Sequence, residues 1–291
     1  MLNDMERSNF SMLCRVAILL LFGLSCSVHA DDDHAARAQY IANTGVMISR
    51  GDTHILFDPL FSNTFGVYDA VPPDIQTALL AGNPPWDDVD AVFISHHHED
   101  HLDPALILKL LRQHTAAELY APEQAALAIR ELVNDPGDPV LQRVHGLGLE
   151  SGASPRRLSI GELLIDAVRI PHEGWPNYHA DVENIVFRVT LDETITVMHF
   201  GDADPDDTHF AKHSEYWQER HTDFAMPPYW FFLRAAGVQI LDERIDATHT
   251  VGVHVPAEVP DAPRDRPDEL RGFDLFTQPG EVRRIDDSPE Q

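Results

Sequence analysis

The stretch Ala91–Pro104, AVFISHHHEDHLDP, constrains this chain more than any other. The apolar run Ala91–Ile94 is continuous rather than alternating, as expected of a strand buried on both faces. It ends at Ser95, and three histidines, two acids and a fourth histidine follow within six residues. Asp103 then fits a helix N-cap with Pro104 at the first helical position, and Leu106, Leu110 and Leu111 mark one face of a helix over Ala105–Gln113. Read as H-x-H-x-D-H, the turn presents His96, His98, Asp100 and His101 as candidate metal ligands. His96 and His98, two apart at a strand exit, can face the same side. Asp100 and His101 sit one step further round, within reach of a second ion. Imidazole and carboxylate without thiolate suit Zn2+, with Mn2+ or Fe as alternatives. A solvated histidine-rich loop is the competing reading. The buried strand before the turn and the capped helix after it weigh against that.

The flanking sequence has a strand–helix rhythm. Residues 38–60 read as a strand pair, Gly45–Ser49 and Thr53–Phe57, around the turn Gly51-Asp52. A Pro-, Gly- and Asn-containing connection, 60–88, carries Phe61, Phe65, Tyr68 and Trp86, and its length suits a lid or a packed surface loop. A short strand at Tyr120–Pro122 and a helix over Glu123–Val133 follow. Strand pairs are expected at Arg157–Ile160 with Leu163–Ile170, and at Asn184–Leu191 with Thr194–Phe200. A helix is expected over Pro205–Arg220, then strands at Phe224–Met226, Thr250–Val255 and Val282–Ile285. This order argues for a layered α/β domain.

SHHHEDHLD resembles the H-x-H-x-D-H signature of the metallo-β-lactamase fold superfamily, and YIANTGVMISRGDTHILFDP resembles its first strands. Within it, the chain is most similar to the lactonase-like branch of zinc-dependent hydrolases, over about residues 38–256. The resemblance implies a four-layer αββα sandwich. It implies two Zn2+ ions about 3.5–4 Å apart, sharing a hydroxide that attacks an ester, lactone, amide or phosphodiester. It also implies further ligands in a fixed order. His172, in Ile170–Gly174, would complete the three histidines of the first metal. Asp202, ending Thr196–Asp202, would bridge the ions. His254, after Val251-Gly252-Val253, would be the last ligand, in preference to His249 at the start of the same strand. Asp100 and Asp202 are thus catalytic candidates as well as ligands. Asp58 would hold a ligand or the turn by hydrogen bonds, or simply cap its strand. His97 and Glu99 fill variable positions and are expected to point away.

Two aromatic stretches flank the expected ligands. Trp175, Tyr178 and His179 follow His172, and Tyr229 and Trp230 lie in MPPYWFFL. They line a substrate pocket or pack the core; as pocket walls they would suit a substrate with an apolar portion, and His179 would be a candidate proton donor.

Charge and cysteine usage narrow the setting. Lys and Arg number 21 against 48 Asp and Glu, a net −27. Such a surface repels phosphate backbones and disfavours nucleic-acid partners, leaving a small-molecule substrate. No segment is long and apolar enough for a stable membrane span. Residues 1–30 resemble a signal peptide, with Arg7 and Arg15 before the apolar run Val16–Leu24 and a cleavage site near Ala30. Both cysteines, Cys14 and Cys26, lie within it, so the mature chain would carry neither disulfide nor thiol nucleophile. Export to a periplasm or beyond is expected, with lipidation at Cys26 as the lesser alternative. The expected organisation is a signal peptide (1–30), a short leader (31–37), a hydrolase domain (38–259) and a partly ordered tail (260–291). The leading reading is an exported dinuclear metallohydrolase. The alternative is a metal-binding or sensing protein on the same fold.

Overall fold

Successive residues of the central strands enter different cores. In a computed structural model, which describes residues 35–285, strand β3 (Thr53–Phe57) places Ile55 and Phe57 in one apolar cluster and Leu56 in another. β4 (Val89–Phe93) does the same with Ala91 and Phe93 against Val92. Side chains alternate across a strand, so a continuous apolar run requires cover on both faces. That cover is a second sheet on one side and helices on the other.

The first sheet combines β3 and β4 with β1 (Ala36–Ala42), β2 (Gly45–Arg50), β5 (Glu118–Pro122), β6 (Val144–Leu147) and β14 (Val282–Ile285), in the order β14-β1-β2-β3-β4-β5-β6. The second holds β7 (Arg156–Ile160), β8 (Leu163–Arg169), β9 (Ile185–Leu191), β10 (Ile195–His199), β11 (Phe224–Met226), β12 (His249–Gly252) and β13 (Asp274–Leu275), in the order β13-β12-β11-β10-β9-β8-β7. Ile165, Phe187, Val197 and Phe224 from the second sheet share a core with Tyr40, Ile48, Phe57 and Phe93 from the first. Outside the first sheet lie α1 (Pro73–Ala81), α2 (Pro104–Gln113) and α3 (Glu123–Arg130). Outside the second lie α4 (Asp207–Ala211), α5 (Ser214–Gln218) and α6 (Ala235–Ile240). The four layers are the αββα sandwich that the resemblance implied.

Several elements differ from expectation. β1 adds a third strand to the expected pair, and begins inside the stretch taken as a leader. The 60–88 connection contains α1, which starts with Pro73 at a first-turn position and ends on the left-handed Gly82; its prolines and glycine are helix punctuation rather than loop. The helix expected over Pro205–Arg220 is two short ones, because the chain turns at Lys212-His213 and the Ser214 hydroxyl bonds the Ala211 carbonyl. Over its described length the tail carries the strand expected at Val282–Ile285, here β14, and a further short one, β13. β14 pairs antiparallel with β1 and β13 parallel with β12, so the tail extends both sheets and covers an edge of each. The expected signal peptide, its cleavage site and the Cys26 lipidation site lie outside the described residues. No helix among the described residues is long and apolar enough to cross a membrane.

Candidate metal centre

The expected ligands leave the chain at strand ends along one rim of the sandwich. His96 to His101 follow β4, His172 follows β8, Asp202 follows β10 and His254 follows β12. α2 starts directly beyond the motif, and Asp103 accepts from the backbone N–H of both Ala105 and Leu106 at 2.9 Å. This cap stops the turn from continuing and holds Asp100 and His101 against it.

Two clusters form. His96, His98, His172 and Asp202 offer ligand atoms within 4.8 Å of one another, and so do Asp100, His101 and His254. Asp202 lies between them. Its Oδ2 is 3.3 Å from His172 Nε2, 3.3 Å from His254 Nε2 and 3.8 Å from His96 Nε2, while its Oδ1 is 3.2 Å from His101 Nε2. His254 Nε2 also stands 3.2 Å from Asp100 Oδ2. His249, at the other end of β12, is exposed and belongs to neither cluster.

The surroundings aim the ring nitrogens. His101 Nδ1 donates to Asp58 Oδ2 at 2.9 Å, and His172 Nδ1 donates to the Glu173 carbonyl at 2.9 Å. His96 Nδ1 lies 3.1 Å from the Ser95 hydroxyl, which in turn donates to Asp58 at 2.6 Å. With each Nδ1 carrying its proton outward, each Nε2 presents a lone pair inward. The Nε2 atoms of His96, His101, His172 and His254, together with Asp202 Oδ1, are buried without a hydrogen-bond partner. Buried polar atoms are normally satisfied, and a cation takes up several convergent lone pairs at once. The residues present therefore fit divalent metal ions.

The electrostatics divide the site. Burial pushes His98 down to about 4, helped by the neighbouring His172, and also holds His96 well below its usual range. Burial also opposes charge on His101 and His254. The Asp202 and Asp100 carboxylates, joined at His101 by Asp58, outweigh that and raise both. Asp202 is held well below the carboxylate range, in spite of its burial, by His254 and His101.

Five residues to which the sequence assigned no individual role position this site. Thr44 Oγ1 contacts both His101 Nδ1, at 3.0 Å, and Asp58. Asn43 donates to the Asp100 carbonyl at 2.9 Å and accepts from the His254 N–H at 2.8 Å through its own carbonyl. Ser95 links Asp58 to His96. Asn184 accepts from the Asp202 N–H at 2.9 Å and donates to the Phe200 and Ile170 carbonyls. Tyr68, from the 60–88 connection, stands edge-on to His254 with ring centroids 4.2 Å apart. Its hydroxyl is pushed up by burial and by the charges of Asp202 and Asp100. The only signal for Asn43 and Thr44 was the family-like stretch YIANTG; Ser95 and Asn184 had none beyond adjacency to strand ends.

The aromatic candidates separate. Trp230 lies against His254, 5.1 Å between centroids, with Tyr229 beside it. His179 packs on His172 and His98 at 4.6 and 5.1 Å. Trp175 sets its edge against His209 instead, and Tyr178 is 72% exposed. Glu99 does point away from the ligands, but accepts from Asn63 and so fastens the start of the 60–88 connection.

The family model of the beta-lactamase superfamily domain matches residues 37–228. The chain belongs to that superfamily, and its histidine–aspartate clusters make it a member of the metallo-β-lactamase type. Among solved structures, it is similar to a metallo-hydrolase from the archaeon Ignicoccus hospitalis KIN4/I, with TM-score 0.55 and 15% identity over 87% of this chain and 100% of the other. It is also similar to an isothiocyanate hydrolase from Delia radicum gut bacteria, with TM-score 0.56 and 16% identity over 85% and 98%. No protein of curated function matches the sequence.

Proposed function

We propose that the protein is an exported dinuclear zinc hydrolase of a small, partly apolar substrate, acting on an ester, lactone or phosphodiester bond. The observation that carries this reading is Asp202, whose Oδ2 lies 3.3 Å from His172 of one cluster and 3.3 Å from His254 of the other, with Oδ1 3.2 Å from His101. His96, His98 and His172 would hold one ion, Asp100, His101 and His254 the other, and Asp202 both. Bound there, divalent ions supply activated water and polarise the bond under attack. The chain's own residues do the rest. Asp58, Ser95 and Thr44 fix the orientation of the ligand rings. Trp230 and Tyr68 wall the His254 side with apolar surface, and His179, packed on His98 and His172, is the candidate proton donor to a leaving group. The apolar N-terminal run followed by a small-residue site supports export, and the net −27 supports a substrate other than nucleic acid.

The test is metal content of the purified protein together with turnover of a panel of chromogenic lactones, phosphodiesters and cephalosporins. The fold shared with an isothiocyanate hydrolase adds an isothiocyanate to that panel. Two metal equivalents are expected, with losses in both His98→Ala and Asp202→Ala. A stoichiometry near one, or unchanged content in those variants, overturns the dinuclear reading. N-terminal sequencing of protein secreted from an expression host tests cleavage near Ala30.

A further inference from the structure

The 60–88 connection is anchored to the metal motif by a residue that binds no metal. The N–H groups of Ser62 and Asn63 donate to the Glu99 carbonyl at 3.3 and 3.1 Å, and the Asn63 side chain donates to Glu99 Oε2 at 2.8 Å. Further along, the Val67 carbonyl accepts from the Ala257 N–H at 2.9 Å, which ties the connection to the segment just beyond His254. Tyr68 N–H closes a turn onto the Thr64 carbonyl at 3.1 Å. Directly after the Val67 tie, the Tyr68 ring is half-buried, edge-on to His254 with centroids 4.2 Å apart. Among the described residues it is the one tyrosine whose ring meets a ligand ring. A phenol so held is a hydrogen-bond donor whose position is fixed before substrate arrives, and fixed donors aimed at developing negative charge are strong contributors to catalysis.

We infer that Tyr68 is a catalytic residue, donating its hydroxyl hydrogen to an oxyanion of the substrate on the Asp100–His101–His254 side, and that Glu99 and Asn63 are its positioning residues. The phenol keeps its proton throughout, so no covalent step is assigned to it. This rests on the proposed hydrolase reading for its place in a reaction. It does not rest on it for binding, because inorganic phosphate presents the same oxyanion chemistry without turnover.

The experiment compares the metal-loaded wild type with Tyr68→Phe, which keeps the ring against His254 and removes only the hydroxyl. Calorimetric titration with inorganic phosphate should show affinity weakened roughly tenfold or more, with metal content unchanged. On any panel substrate that is turned over, kcat should fall on the order of a hundredfold with KM nearly constant. Glu99→Ala should weaken phosphate in the same direction, and Glu99→Gln, which retains an oxygen acceptor, should lose less. Phosphate affinity within twofold of wild type in Tyr68→Phe overturns the inference whatever the activity, and so does loss of metal, which would make the residue a support for His254. Equal loss in the two Glu99 variants overturns the positioning role. If no substrate is turned over, the hydrolase reading fails, while the phosphate titration still decides the role of Tyr68.

Discussion

His101 and Asp58 form a fully buried pair, with His101 Nδ1 2.9 Å from Asp58 Oδ2. Asp58 also accepts from the Ser95 N–H at 2.7 Å and its hydroxyl at 2.6 Å. One carboxylate thus holds a ligand of one cluster directly and, through Ser95, His96 of the other. Replacing it by alanine removes the acceptor that orients His101 while leaving every ligand in place. Partners of this kind typically contribute about 10–100-fold to metal affinity or activity. Asp58→Ala is expected to lose affinity by that amount, with the weaker metal equivalent assigned to the Asp100–His101–His254 cluster. Competition against a chelator of known affinity measures it. Two wild-type affinities in the variant would reduce Asp58 to a strand cap.

Metal-free and metal-loaded protein should respond to pH in opposite directions above pH 6.5. His101 and His254 are raised above the usual histidine range when no ion competes, because Asp202 and Asp100, with Asp58 at His101, outweigh burial. A raised group stabilises the folded state fully below its unfolded value, and that contribution is lost as pH climbs through the folded one. The metal-free protein should therefore lose stability as pH rises above about 6.5. Below that value the buried His96 and half-buried His98, which are lowered, take over and stability falls with acid. Metal binding needs His101 and His254 unprotonated, so metal affinity, and the stability it adds, should climb over the same interval in which the metal-free protein weakens. Thermal melts of the two forms between pH 6 and 9 check this; parallel slopes would contradict it.

What was legible in the sequence depended on whether a residue carried its own positional mark. His96, His98, Asp100 and His101 are packed into one turn, and His172, Asp202 and His254 each close an apolar strand, so a search along the chain could find them. His254 and His249 were separable because only one lies at the strand end that shares a rim with the others. Asn43, Thr44 and Asn184 are common polar residues whose roles exist only after folding. Thr44 meets a partner 57 residues away, and Asn184 one 18 residues away. Nothing local distinguishes them from surface polar groups. α1 was hidden for another reason, since its prolines and closing glycine read equally well as a loop. For Trp175 the sequence leaves pocket wall and packing open, since adjacency to His172 along the chain does not fix where the ring goes; in the fold it meets His209, after the turn at Gly174.

Away from the metals, the second sheet depends on a buried carboxylate. Asp166 and Arg188 lie opposite each other on β8 and β9, neither exposed, with Arg188 Nη2 3.3 Å from Asp166 Oδ2. Arg157 reaches the same carboxylate at 2.8 Å, Arg220 bonds it as well, and the Arg188 guanidinium lies 3.9 Å from the Tyr216 ring centroid. Removing the anion strands a buried guanidinium. Asp166→Ala is expected to cost about 3–5 kcal/mol of stability. The double variant Asp166→Leu with Arg188→Met should recover part of that, because the fully buried charge leaves with its partner and the two guanidiniums that lose the carboxylate, Arg157 and Arg220, both reach solvent. Chemical denaturation of the three proteins at equal metal loading tests the pair. A single variant within 1 kcal/mol of wild type, about a fivefold change in the folding constant, would show that the network relaxes without it.

Gly201 is the residue on which the geometry of Asp202 turns. It sits at φ +54°, and a Cβ there would lie 2.3 Å from Asn184 Oδ1 and 2.5 Å from Ser95 Cβ. Both neighbours serve the site, since Asn184 accepts from the Asp202 N–H and Ser95 links Asp58 to His96. Gly201→Ala therefore combines a strained left-handed backbone with a clash that backbone movement must absorb, a cost on the order of 2–4 kcal/mol. The loss should not be confined to stability. To admit the methyl group, Asn184 must release the Asp202 amide or Ser95 must shift, and either change moves a ligand of the shared carboxylate or its support. Metal affinity should drop along with the melting temperature, and added metal should restore the melt only in part. Measuring both on one preparation separates the causes: a lowered melt with wild-type metal affinity would mean that Asn184 and Ser95 yield without disturbing Asp202.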